Sequence, residues 1–308
     1  MMLRGHDFVS MDDLSPEEVL RVLDTATDLK RRAKAGDRPV LLAGRVLAMI
    51  FEKPSLRTRV TFEVGMWELG GHAVYLAPQD VQLGARESVP DVARNLERWV
   101  GGIMARTFAH RTVQTLAEHA RIPVINGLSD LEHPCQTLGD LLTIRERFGH
   151  LDGLRVAWVG DGNNVCHSLL LGAAKVGMHV AVATPARYAP DPAIVARARE
   201  IAPASGSRIE VGTDAKAAAR GADVIYTDVW VSMGQEAERE AKIKVFSGYQ
   251  VNGALTAQAA ARAVVMHCLP AHRGEEITSE VLDGPQSIVF EQAENRLHAQ
   301  KALLSLIL

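Results

Sequence analysis

Cysteine is scarce in this sequence: Cys135, Cys166 and Cys268 are the three in 308 residues, an odd number without Cys-x-x-Cys spacing. That excludes a disulfide framework and implies a reducing compartment, so a cytoplasmic location is expected. Long hydrophobic runs are missing too, with nothing near the roughly 18 apolar residues of a membrane span. The start, Met1-Met2-Leu3-Arg4-Gly5-His6-Asp7, holds neither a signal h-region nor an Arg- and Ser-rich transit pattern, so neither export nor organelle import is expected. No block of one charge sign occurs: 34 Lys plus Arg stand against 37 Asp plus Glu, a net of −3, which offers no groove for nucleic acid. Repeats and low-complexity tracts are absent, which removes solenoids and linker arrays.

What is present is an ordinary globular composition, 47% hydrophobic and 23% charged, in a chain long enough for two domains of roughly 150 residues each. Ser15-Pro16-Glu17-Glu18 reads as N-cap, first helical position and capping box of a helix running to Gly36. Short apolar runs at 46–51, 72–76, 102–105 and 123–125 alternate with amphipathic stretches, and a second series follows at 155–159, 179–183, 223–226, 264–267 and 288–290. Such alternation predicts an α/β fold: two doubly wound parallel-sheet domains with the active site in the cleft between them. The turn-rich segment Phe148-Gly149-His150-Leu151-Asp152-Gly153 marks the boundary, giving domains over 1–148 and 149–290. A helix is read over 295–308, and the C-terminal segment 291–308 is assigned to pack back on the first domain.

Ligands of open parallel sheets sit beyond the strands' carboxyl ends, so the residues there matter most. After the first strand come Ser55-Leu56-Arg57-Thr58-Arg59 and a helical run, a density of hydroxyls, guanidiniums and helix-start N–H groups suited to a doubly charged phosphate. It is not a Walker loop, because Gly-x-x-x-x-Gly-Lys is missing. Gly160-Asp161-Gly162-Asn163-Asn164-Val165 invites a dinucleotide reading but lacks the third glycine, and the next strand ends in Ala183-Thr184 rather than an acid. Its asparagines suit an amino-acid carboxylate or ammonium. His133-Pro134-Cys135-Gln136 and His267-Cys268-Leu269-Pro270 admit three readings from residue type: a metal pair, a Cys/His hydrolase, or core histidines beside buried thiols. Asp228, followed by Ser232-Met233-Gly234, can pair with an ammonium group; Arg106 and Arg296 each read singly as surface arginines.

Taken in order along the chain, these segments resemble the aspartate/ornithine carbamoyltransferase family. Residues 55–59 are similar to its Ser-Thr-Arg-Thr-Arg loop, 133–136 to its His-Pro-x-Gln, 267–270 to its His-Cys-Leu-Pro, and Asp228 with 232–234 to the loop of its ornithine branch. Leu56 departs, standing where the family usually has Thr. The resemblance implies transfer of a carbamoyl group from carbamoyl phosphate to the δ-amine of L-ornithine, giving L-citrulline and phosphate, with no cofactor and no metal. It implies that Ser55, Leu56, Arg57, Thr58, Gln82, Arg106, His133, Gln136, Cys268, Leu269 and Arg296 hold carbamoyl phosphate in a site served by the first domain. Asn164, Asp228, Ser232 and Met233 would hold ornithine in the second, with Arg106, His133, Cys268 and Asp228 catalytic. It further implies a homotrimer or multiple of trimers, Gln82 reaching a neighbouring subunit's site, and a place in arginine biosynthesis. Dehydrogenase and non-catalytic sensor readings of the same fold lack, respectively, a cofactor fingerprint and a reason for Arg106, His133 and Cys268 together.

Overall fold

The structure, a computed structural model, describes residues 3–231 and 236–308. It divides into two compact units, Met1–Thr143 with Glu294–Leu308, and Ile144–Ala293.

The first unit carries strands β1 (Val46–Phe51), β2 (His72–Leu76), β3 (Gly102–Arg106) and β4 (Val124–Leu128). Its helices are α1 (Pro16–Lys34), α2 (Leu56–Glu68), α3 (Pro78–Val81), α4 (Val89–Leu96), α5 (His110–His119) and most of α6 (Pro134–Phe148). Ser15 caps α1 in a capping box with Glu18, and Val19, Val22, Leu23, Ala26 and Leu29 form its buried stripe at helical spacing. All strands are parallel in the order β2-β1-β3-β4, so the order reverses between β1 and β3. One face packs Ala48, Ile50, Ile103, Ala105 and Val124 against Val92, Ala93, Leu96, Val113 and Leu116 of α4 and α5. Truncating one such side chain costs about 2–5 kcal/mol, well above any surface ion pair on these helices.

The second unit carries β5 (Arg155–Val159), β6 (His179–Ala183), β7 (Ile209–Gly212), β8 (Val224–Thr227) and β9 (Val264–His267). Its helices are α7 (Asn164–Lys175), α8 (Pro192–Ser205), α9 (Ala215–Ala219), α10 (Arg239–Phe246), α11 (Gly253–Thr256) and α12 (Ser279–Leu282). The order is β7-β6-β5-β8-β9, again all parallel, with the reversal between β5 and β8. The C-terminal helix α13 (Val289–Ile307) belongs mostly to the first unit. Among the described residues no helix is long and apolar enough to cross a membrane.

Two expectations are corrected. The run 288–290 is not a strand: Ser287 makes a single bridge to Val265, and Val289 already begins α13, six residues before the expected start at 295. Three apolar residues satisfy either periodicity, and a buried helix start looks the same as a short strand. The edge strand β7 was not expected; four residues, Ile-Glu-Val-Gly, alternate too briefly to stand out.

Candidate active site

Both order reversals are crevices at strand ends, and the candidate residues lie beside them. In the first unit, β1 runs into Glu52-Lys53-Pro54 and then Ser55, whose hydroxyl caps α2 by accepting the Thr58 N–H at 3.3 Å. Leu56, where the family motif has Thr, is the first helical residue and 75% exposed. Arg57 is half-buried in that first turn, whereas Arg59 turns outward to pair with Glu63 at 3.1 Å and stack over Tyr75. Arg106 ends β3 opposite Phe51, where a register irregularity against β4 falls between Ala105 and Arg106. Irregularities of this kind re-aim a side chain at a strand end.

His133, just before α6, is buried. Burial, then the guanidiniums of Arg296, Arg106 and Arg57, hold its pKa well below the usual histidine value, so the ring is neutral near pH 7. Three cations therefore act on an imidazole that can donate one hydrogen bond without carrying charge. Arg296, from α13, donates through Nη1 to Gln136 Oε1 at 2.5 Å and through Nη2 to Thr58 Oγ1 at 3.3 Å. Gln136 Nε2 donates to Asp140 at 2.8 Å. Gly139 makes this approach possible, since a Cβ there would stand 3.1 Å from Arg296 Cδ and 3.4 Å from its backbone. Gln82 caps α3 with φ +46° and lines a cavity of about 200 Å³ with Glu52, Val81, Leu83 and Phe108; Arg57, His133 and Arg296 do not line it.

In the second unit, Asp228 follows β8 and is buried. Its two oxygens are held separately: Asn163 Nδ2 donates to Oδ2 at 2.8 Å, and the Cys268 thiol, just past β9, donates to Oδ1 at 2.9 Å. The Asn163 carbonyl oxygen accepts from Val165 and Cys166 N–H, so α7 is capped by its own chain. The glycines of this loop serve close approach rather than a dinucleotide. A Cβ on Gly162 would lie 2.3 Å from Pro190 N, and one on Gly160, at φ +137°, 3.3 Å from Thr227 Oγ1. Asn164, the first residue of α7, is half-buried. Leu269 sits at φ +58°, its N–H donating to His267 Nδ1 at 2.9 Å. Because Nδ1 accepts, the proton is on Nε2, which donates to Glu276 Oε1 at 3.1 Å in a fully buried pair. Ser232 and Met233 lie outside the described residues.

This geometry separates the three readings of the His/Cys motifs. Burial raises the Cys135 thiol to about 12, and it raises Cys166 as well, so neither is a nucleophile near neutral pH. The Cys268 thiol is engaged as a donor to the Asp228 carboxylate. Asp228, His267 and Cys268 bring metal-type donor atoms within 4.8 Å, as do His272, Glu275 and Glu276, but the first group is already satisfied by its own hydrogen bonds. Asn163, read with Asn164 as an amide for an amino-acid group, instead holds Asp228 and caps α7. Two contributors are not expected from the sequence. Lys242 reads as one more charge on a polar helix, yet its Nζ is buried 2.6 Å from Asp161 Oδ2. Lys53 is buried with Nζ 4.5 Å from the Phe108 ring centroid.

In the first unit a buried, neutral imidazole under the influence of three guanidiniums suits an anionic, already activated acyl group, and in the second a carboxylate held by two donors suits an amine. The class this describes is a group transferase that needs no nucleophile of its own. Residues 6–146 match the family model "Aspartate/ornithine carbamoyltransferase, carbamoyl-P binding domain" and 152–307 match "Aspartate/ornithine carbamoyltransferase, Asp/Orn binding domain". The chain belongs to the aspartate/ornithine carbamoyltransferase family. It is 58% identical over 306 residues to the ornithine carbamoyltransferase of Symbiobacterium thermophilum, covering 99% of each chain. To that of Carboxydothermus hydrogenoformans it is 56% identical over 305 residues, 99% of this chain and 98% of the other. The solved ornithine carbamoyltransferase from Pyrococcus furiosus superimposes with a TM-score of 0.98 at 52% identity, covering 100% of this chain and 98% of that one.

Proposed function

We propose that this chain transfers the carbamoyl group of carbamoyl phosphate to the δ-amine of L-ornithine, giving L-citrulline and phosphate. The observation that carries this reading is the neutral His133 among Arg57, Arg106 and Arg296. In transfer, the δ-nitrogen lone pair attacks the carbamoyl carbon, negative charge grows on the carbamoyl oxygen, and the C–O bond to phosphate breaks with its electron pair leaving on phosphate. The carbonyl re-forms as phosphate departs, and the proton on nitrogen passes to the departing phosphate. Arg106 and His133 donate to the oxygen as it gains charge; losing one such preorganised donor costs about 3–4 kcal/mol of transition-state stabilisation. Ser55, Leu56, Arg57 and Thr58 hold the phosphate at the start of α2, Leu56 through its backbone N–H, while Arg296 neutralises the far side.

The Gln136 oxygen, with one lone pair on Arg296, has its second for the carbamoyl NH2, assisted by the Leu269 carbonyl. Asp228 receives the amine-bearing end of ornithine with Cys268, and Asn164, Ser232 and Met233 hold its amino-acid group. The activated mixed anhydride makes a cofactor unnecessary. We place the reaction in cytoplasmic arginine biosynthesis, in a homotrimer or multiple of trimers with Gln82 entering a neighbouring subunit's site.

The test is citrulline formation from carbamoyl phosphate with a panel of amines. Ornithine should exceed putrescine and aspartate more than a hundredfold in kcat/KM, because a smaller amine leaves buried polar groups unpaired. Comparable turnover of either would overturn the substrate assignment.

A further inference from the structure

The end of β5 and the end of β8 bring two buried carboxylates into one neighbourhood, Asp161 and Asp228. They are linked through a short loop: Asp161 stands two residues before Asn163, whose amide holds Asp228 Oδ2 at 2.8 Å. Two negative charges in a desolvated region oppose each other, and the charge of Asp228 is among the influences that raise the pKa of Asp161, after burial itself. Lys242 counters this. Its ammonium, 2% exposed, stands 2.6 Å from Asp161 Oδ2 and 5.0 Å from the Tyr188 ring. The helix that carries it is docked by Phe246, which stacks on Trp230 with ring centroids 5.7 Å apart and packs on Tyr188 at 5.0 Å. Trp230 is itself two residues beyond Asp228. The Trp158 indole N–H donates to the Asp161 carbonyl at 2.9 Å, so the loop is held from the sheet side as well.

We infer that Lys242 and Asp161 form a charge-neutral positioning pair for Asp228, which leaves Asp228 as the uncompensated negative charge facing the amine substrate and fixes the loop carrying Asn163. This rests on the proposed ornithine site. A buried ion pair is weak grounds for a stabilising role, since replacing both members by neutral groups is often harmless while removing one is not. Its value here is positional: breaking it leaves a desolvated carboxylate or ammonium that must find water or another partner, which moves the loop carrying Asn163 and with it Asp228.

The experiment compares Lys242→Met, Asp161→Asn and the double variant in the full-length protein, with KM for ornithine, KM for carbamoyl phosphate, kcat and thermal midpoint. Each single variant is expected to raise the ornithine KM tenfold or more while the carbamoyl phosphate KM stays within about twofold. The double variant, neutral at both positions, should recover the ornithine KM to within about threefold of wild type. Should the single variants fail to fold, Lys242→Gln and Asp161→Ser replace them and are read by the same two KM values: an ornithine KM unchanged in both overturns the pair's role. A lowered thermal midpoint with ornithine KM unchanged, or equal rises in both KM values, likewise overturns it. Wild-type protein that makes no citrulline would remove the ornithine reading itself, an outcome distinct from a wild-type enzyme indifferent to Lys242.

Discussion

The Cys268 thiol donates to Asp228 Oδ1 at 2.9 Å across forty positions of sequence, so two candidate residues from different strand ends share one hydrogen bond. Cysteine here acts as a donor that orients the carboxylate proposed to bind the amine. Cys268→Ala removes that donor, and kcat/KM for ornithine should fall about tenfold, the size of one hydrogen bond to a charged group. Carbamoyl phosphate binding by calorimetry should change little. Wild-type ornithine kinetics in the variant would remove Cys268 from the site.

Arg57 stands in the first turn of α2 and is one of the cations acting on His133. Arg57→Ala should weaken carbamoyl phosphate binding by about 2–4 kcal/mol, because a doubly charged group loses a bidentate donor. Calorimetry with the purified variant measures this directly; unchanged affinity would show that phosphate sits elsewhere.

The pH–rate profile follows from two charges. His133 stays neutral far below pH 6.5, so kcat/KM should show no acid limb from it near that value. The attacking alkyl amine, with pKa about 10, is mostly protonated at neutrality, and the rate should climb from pH 7 upward. An acid limb that vanishes in His133→Gln would contradict the neutral imidazole.

His298 on α13 has its pKa lowered to about 4 by burial first and then by Lys30 and Lys301. In the unfolded chain it protonates near pH 6.5, in the folded chain only near 4. Between those values the unfolded state binds more protons, so stability that is complete above pH 6.5 is lost as pH falls toward 4. The loss from this group by pH 5 is on the order of 1–2 kcal/mol. Thermal melts at pH 7 and pH 5 should show a smaller drop for His298→Gln than for wild type.

Gln82 lines a cavity that Arg57 and His133 do not line, which makes its proposed contribution to a neighbouring subunit testable by mixing. Inactive Arg57→Ala and impaired Gln82→Ala proteins, allowed to exchange subunits, should regain activity above both parents. Repeated heterologous interfaces of a closed ring would join one chain's Arg57 to another's Gln82. Exchange without recovery, or a monomer on sedimentation, would reject the shared site.

Local signals told most of this protein's plan. The capping box at Ser15, the apolar runs of β1, β2, β5, β6 and β9, and the motifs beginning at Ser55, His133 and His267 are contiguous, and contiguous residues carry their own periodicity and cap chemistry. Parallel topology then places residues after strands at the crevices of each sheet. Tertiary structure decided whatever depends on partners far apart in sequence. It made 288–290 the start of a helix, because a single bridge at Ser287 and the Gln292 side chain accepting from His267 N–H at 2.9 Å complete the hydrogen bonds that a strand would have supplied. Burial and three guanidiniums set the charge of His133, a property absent from the letters His-Pro-Cys-Gln. Asn163 became the residue that holds Asp228, Lys242 a buried partner of Asp161, and Arg296 the link between Gln136 and Thr58. Side-chain pairing and desolvation are properties of three-dimensional neighbours, and only folding brings those neighbours together.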